Sequence, residues 1–259
     1  MKIITIGNGS PCVGIVACLH GNETVGLDII EHIKTLKIIK GTLKLIIANT
    51  AAIKLGKRFV DMDLNRAFPG DPKGNYEQKE AHKLIKELED CNYVLDIHSC
   101  GIKSPAFAIL TKINSETINL IKMIGLDKVV IMPNSLANKK ALIDYCNGIS
   151  LELGLHNNTE TLKQGIKSTL NFLGNLGIIN YDVKNIEYNT FNVIKKIPKV
   201  GKVIKSDIYS FQKVKEGDLL YNSDNKNIYS EEEFYAILPN EPSYGFFCLA
   251  ATMEYKNER

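Results

Sequence analysis

His20 and Glu23 stand three residues apart in "VGIVACLHGNE", Asp96 and His98 close the run "YVLDIHS", and Glu152 lies in "ISLELG". Each falls at or near the carboxyl end of an apolar run that reads as a strand, where a polar residue serves packing poorly. A tight "HGNE" turn can aim His20 and Glu23 at one point. Asp96, two residues before His98, shares its face of the strand. Two imidazoles and a carboxylate make a borderline-soft donor set that suits Zn²⁺, and three protein ligands leave a fourth position for water, the mark of a catalytic metal.

The stretch "RFVDMDLNR" (58–66) adds Arg58 and Arg66, two of only three arginines in a chain with twenty-nine lysines. A guanidinium is a planar fork matched to a carboxylate or a developing oxyanion, whereas a lysine ammonium is a point charge. Plainer readings exist for each signal. Either arginine could close an ion pair with Asp61 or Asp63. A histidine at a strand end could bond a loop, Asp96 could cap a loop instead of orienting a metal-bound histidine, and Glu152 could pair with a buried lysine. Cys100 reads as a packed thiol sooner than a ligand, His32 and His82 are expected in solvent, and His156 is expected at the border of the site. What favours chemistry is coincidence: α/β sheets bind ligands at the carboxyl ends of their strands, where all the candidates fall.

The elements that must position them alternate. Strand-like runs at 13–19, 43–49, 93–99, 106–110, 128–133 and 149–154 are separated by helical patterns in "ETVGLDIIEHIKTLK", "NYEQKEAHKLIKELED", "INSETINLIKMIG" and "TETLKQGIKSTLNFLGNLG". This order predicts an α/β fold around a mixed, mostly parallel sheet flanked by helices. After about residue 180 short alternating runs split by Gly, Pro, Asn and Asp predict a small β domain. The expected organisation is a catalytic α/β domain over 1–182 and a small β domain over 183–259.

With 259 residues, 44% of them hydrophobic, the chain can bury a substantial core. A formal charge of +3, without single-sign blocks, gives no footprint for nucleic acid or a membrane surface. No apolar run approaches the roughly 20 residues of a membrane helix. "GNGSP" interrupts the amino-terminal apolar stretch, which therefore reads as no export signal. Six scattered cysteines without a C-x-x-C pair suit reduced thiols, and the expected location is cytoplasmic.

Taken in order, "HGNE", "RFVDMDLNRAFPG", "LDIHS" and "LELG" resemble the succinylglutamate desuccinylase and aspartoacylase family of zinc acyl-amino-acid hydrolases, distant relatives of the metallocarboxypeptidases. "NEPSY" looks like that family's carboxy-terminal tyrosine segment, so the resemblance covers nearly the whole chain. It implies one Zn²⁺ per chain on His20, Glu23 and His98, with Glu152 as general base and acid and Arg58 polarising the scissile carbonyl. Asn65 and Arg66 would grip the substrate carboxylate, and Tyr244 would reach in from the β domain capping the site. The implied partner is a small N-acyl amino acid; the oligomeric state is open, and a homodimer is compatible with it. Animal aspartoacylases carry an arginine ten residues before the catalytic glutamate. Here that position is Leu142, with Lys139 and Lys140 off register, so the resemblance stops short of N-acetylaspartate as substrate.

Two further readings compete. A metallocarboxypeptidase would use the same metal set on short peptides, but in the resembling family the small β domain narrows the entrance to small substrates. A non-catalytic zinc-binding protein would have no need of Glu152 or Arg58.

Overall fold

The computed structural model describes residues 1–255 apart from 185 and 225. The strands are β1 Lys2–Gly7, β2 Cys12–Ala17, β3 Thr42–Ile47, β4 Tyr93–Cys100, β5 Phe107–Leu110, β6 Lys128–Ile131 and β7 Gly148–Leu155, followed by β8 Asn189–Pro198, β9 Val203–Lys205, β10 Lys213–Val214, β11 Leu219–Ser223, β12 Asn227–Tyr229, β13 Phe234–Ile237 and β14 Phe246–Tyr255. The helices are α1 Val25–Ile33, α2 Thr50–Leu55, α3 Tyr76–Leu88, α4 Ser115–Ile124, α5 Asn134–Ala137 and α6 Thr159–Asn175.

Eleven strands form one sheet in the order β1-β3-β2-β4-β7-β5-β6-β8-β14-β13-β10, and β12-β11-β9 form a small second sheet. The centre, β3-β2-β4-β7, is parallel. Every residue of β2 is buried because both faces are covered. Val13, Ile15 and Ala17 pack with Ile29 and Ile33 of α1 and Phe172 of α6. Val16, on the other face, packs with Ala81, Leu84 and Leu88 of α3. Asp96 and His98 share that second face with Val94, so the site opens on the α3 side.

The alternation predicted from sequence matches a mixed α/β sheet flanked by helices. The sequence reading left out β1, which pairs antiparallel with β3 at the sheet edge, and α2. After residue 182, β8, β14, β13 and β10 continue the main sheet, since β8 pairs with β6 in parallel and with β14 in antiparallel register, and only β9, β11 and β12 form the small second sheet. Leu238, Glu241, Tyr244, Phe246 and Leu249 from this part line the cavity beside β4 and β7. Among the described residues no helix is long and apolar enough to cross a membrane.

Candidate active site

The turn after β2 is forced tight by packing. A Cβ on Gly21 would lie 2.3 Å from the carbonyl carbon of Ala52 and 2.4 Å from the nitrogen of Ile53, so only glycine lets the turn rest on α2. The Gly21 N–H donates to the carbonyl of Arg58 at 3.0 Å, tying the turn to the arginine-bearing loop. That loop is held from beneath by Glu77, a fully buried carboxylate on α3. It accepts from the backbone N–H of Val60 at 2.6 Å, Asp61 at 2.9 Å and Met62 at 3.2 Å, and from Asn49 Nδ2 at 3.1 Å. Nothing in the sequence pattern singled out Glu77; its role depends on three backbone donors some sixteen residues away in the chain.

On this frame His20, Glu23 and His98 come together, one ligand atom from each lying within 4.8 Å of the others, all three residues buried. Glu23 Oε1 lies 2.7 Å from His20 Nδ1, and Oε2 lies 3.0 Å from His98 Nδ1. The Ser99 N–H also donates to Oε2 at 3.2 Å. The far nitrogen of each ring meets a carboxylate. His98 Nε2 is 2.7 Å from Asp96 Oδ2, which also accepts from Ser150 Oγ at 2.9 Å. His20 Nε2 is 2.9 Å from Asp63 Oδ1 and 2.9 Å from Arg58 Nη2.

This donor set fits a divalent cation. A neutral His98 that gives its Nε2–H to Asp96 turns a lone pair at Nδ1 toward a Glu23 oxygen, an arrangement that only a further proton or a cation relieves. A carboxylate behind each metal-facing imidazole is the arrangement that fixes a ligand's tautomer. His20, Glu23 and His98 would hold the ion.

The charges respond to this crowding. Burial opposes the ionised form of Glu23, yet the two imidazoles hold its carboxyl well below the usual range. Burial likewise opposes charge on His98, but Asp96 and Glu23 raise its pKa well above 6.5. Asp63 is held low against its own burial by His20 and Arg58.

Glu152 sits beside the cluster with its Cα in register with that of His98. It is 9% exposed, and its Oε1 makes no hydrogen bond to the described residues. Burial first, and then the charge of Glu23, push its pKa up to about 8. Among the described residues no lysine forms an ion pair with it.

Arg58 lies between the cluster and the solvent, Nη1 3.3 Å from Glu23 Oε1 and Nη2 3.1 Å from Asp63 Oδ2. The ion-pair reading of the arginines therefore holds for Arg58, which faces the site as well. Arg66 is exposed, and its Nη1 donates to the carbonyl of Asn65 at 2.6 Å. Asn65 Oδ1 accepts from the Leu142 N–H at 2.9 Å, leaving its amide nitrogen for a ligand. Tyr244 stacks on Phe246 at 4.5 Å between centroids, and burial raises its hydroxyl pKa.

The remaining candidates separate. Cys100 lines the cavity, buried, with Sγ directed to the carbonyl of Ile102. His32 is exposed and His82 is half-buried on α3. His156 borders the site through Ser99 Oγ at 2.8 Å, and burial lowers its pKa. Glu241, missed in the sequence, closes the loop before Tyr244 by accepting from Gly101 N–H at 2.9 Å and from Ser243 Oγ at 2.9 Å. All the site residues inferred from sequence line one cavity of about 290 Å³.

Residues 10–173 match the model of the succinylglutamate desuccinylase/aspartoacylase catalytic domain. A succinylglutamate desuccinylase of Shewanella piezotolerans is 26% identical over 269 residues, covering 87% of this chain and 77% of that protein. The desuccinylase of Pseudomonas aeruginosa is 38% identical over 110 residues, 36% of this chain, and the match spans only 33% of that protein's own length. The crystal structure of a succinylglutamate desuccinylase/aspartoacylase from Rhodobacter sphaeroides superposes with a TM-score of 0.78 at 20% identity, covering 98% of this chain and 89% of that one, which shows a common fold. With the catalytic-domain match spanning well over half its residues, the chain belongs to the succinylglutamate desuccinylase/aspartoacylase family.

Proposed function

We propose that the protein is a zinc-dependent deacylase that hydrolyses the amide bond of a small N-acyl amino acid. One observation carries this reading. Glu152, with a buried oxygen free of hydrogen bonds to the described residues, stands beside the His20, Glu23 and His98 cluster in a cavity that also presents Arg58 and Arg66. A zinc ion on those three ligands would supply a Lewis acid and lower the pKa of a water.

The protein's own groups account for the rest. Glu152 takes the proton of the attacking water and hands it to the amide nitrogen as the C–N bond breaks, giving a carboxylate and a free amine. Arg58 faces the developing oxyanion with a charge already paid for by its bonds to Asp63 and Glu23. Arg66, with no acidic partner among the described residues, and the amide nitrogen of Asn65 take the substrate's carboxylate as a fork. Tyr244 supplies a hydroxyl that its environment keeps protonated.

The test is amine release by zinc-loaded protein from N-acetyl, N-formyl and N-succinyl amino acids beside dipeptides and tripeptides. Release from the acyl-amino acids alone supports the deacylase. Release from peptides alone would make the protein a carboxypeptidase.

A further inference from the structure

Strand register extends the cavity away from the cluster. β5 runs antiparallel to β7, with Phe107 opposite Glu152 and Ile109 opposite Ser150. Each two-residue step moves about 7 Å along the sheet. Phe107 thus lies level with Glu152 and Ile109 one step lower, and Thr111 follows just past the end of β5. Ile109, Met132, Leu136, Ile143 and Leu249 make this part of the lining aliphatic, and Thr111 lines it with them.

Thr111 is 9% exposed, and its Oγ1 is buried without a hydrogen-bond partner among the described residues. A buried hydroxyl left unpaired costs about 1–3 kcal/mol, and this one belongs to a residue that lines the cavity. Of the charged groups of the lining, Lys196 is the one that reaches this wall. Arg58 belongs to the cluster, and Arg66 stands at the carboxylate clamp. Lys196 is exposed over the Phe246 ring, with Nζ 3.4 Å from the Leu136 carbonyl. Glu241 accepts from the Gly101 N–H just beyond the end of β4. Leu142 is fully buried behind Ala141 and Ile143, and its N–H holds Asn65 next to the clamp. The carbon that bears a clamped carboxylate therefore lies beside this aliphatic wall.

We propose, resting on the deacylase reading, that the substrates are N-acyl derivatives of neutral amino acids with an unbranched side chain, which lies along Ile109, Met132 and Ile143 with its end at the Thr111 hydroxyl. A carboxylate or ammonium on that side chain would leave water for an aliphatic wall where the exposed Lys196 is already engaged by the Leu136 carbonyl and the Phe246 ring, and be rejected. A neutral end group that can hydrogen-bond, such as an amide, is accepted by Thr111.

The experiment measures amine release by the zinc-loaded full chain from N-acetyl derivatives of norleucine, methionine, glutamine, aspartate, glutamate and lysine. A second series holds one amino acid fixed and varies the acyl chain from acetyl to butyryl to succinyl. The three neutral substrates are expected to lead the charged ones by about a hundredfold in kcat/KM. Thr111→Val lowers the glutamine-to-norleucine ratio about tenfold, and Thr111→Ser preserves it. Calorimetric binding of the same compounds to Glu152→Gln protein is expected to give the same order of affinities. Preference for aspartate, glutamate or lysine overturns the proposal and leaves the deacylase standing, as does a Thr111→Val effect that follows the acyl chain. No release from any member overturns the deacylase reading and this proposal together.

Discussion

His98 and Glu152 are paired across the parallel strands β4 and β7, their Cα positions in direct register. A metal-ligand candidate and a general-base candidate are thereby set at one level of the sheet by backbone hydrogen bonds, before any side-chain contact. A slip of one residue would turn one of them to the opposite face. Both strands are buried along nearly their whole length, and this fixes the register.

His20→Ala is expected to drop bound zinc from about one per chain to a small fraction, since a three-ligand site depends on each donor. Atomic absorption after gel filtration reads this directly. Full occupancy in the variant would move the metal to another set of ligands.

Asp96→Asn keeps the volume behind His98 but removes the charge that its Nε2 meets at 2.7 Å. Zinc affinity should fall about 10- to 100-fold, as measured by competition with a chelating dye. Unchanged affinity would make Asp96 a packing group bonded to Ser150 and nothing more.

Zinc uptake should release protons. With no metal bound, Asp96 and Glu23 raise His98 well above its ordinary 6.5 despite burial, which favours its protonated form, and a proton must leave it for the ring to become a ligand. Titration calorimetry at pH 7 in buffers of different ionisation enthalpy should give a slope near about one proton released. A slope of zero contradicts the assignment.

The same groups set the pH dependence of stability. His98 and Glu152 both have folded-state pKa values above their unfolded ones, 6.5 and 4.5 respectively. Their contributions are therefore complete below those unfolded values and lost as pH rises, for Glu152 across the window from 4.5 to about 8. Protein kept in chelator should melt at a lower temperature at pH 8.5 than at pH 5.5, and saturating zinc should reduce the difference. A melting temperature that climbs over this range without metal would contradict the assignment.

Glu77→Ala removes the carboxylate under residues 60–62 and strands three backbone donors. The expected cost is about 2–4 kcal/mol of stability. Arg58 should also lose its fixed position, so residual activity should fall even at temperatures where the variant remains folded. Thermal melts and kcat/KM at a low temperature separate the two effects.

The central sheet and the cluster were legible because each rests on a local signal. Buried parallel strands read as apolar runs, and His20, His98 and Glu152 interrupt such runs where packing alone would not place them. Asp63 entered the sequence reading only as an arginine's partner, yet it also meets His20, a contact forty-three residues away in sequence. Glu77 and Glu241 were invisible because they bind backbone N–H groups, which carry no sequence signature. The edge strand β1 is half-exposed, and its "KIITIG" lacks the burial that made the inner strands plain. The continuity of β8 with β6 depends on pairing between residues 61 apart, such as Lys128 with Asn189, which periodicity does not encode.

The most direct test of the account compares zinc-loaded wild-type protein with Glu152→Gln on the best N-acyl amino acid, with the zinc content of each measured in the same samples. The account predicts equal zinc and a loss of turnover by orders of magnitude, because the glutamine cannot carry the proton from water to the departing amine. Equal zinc with retained turnover would contradict it.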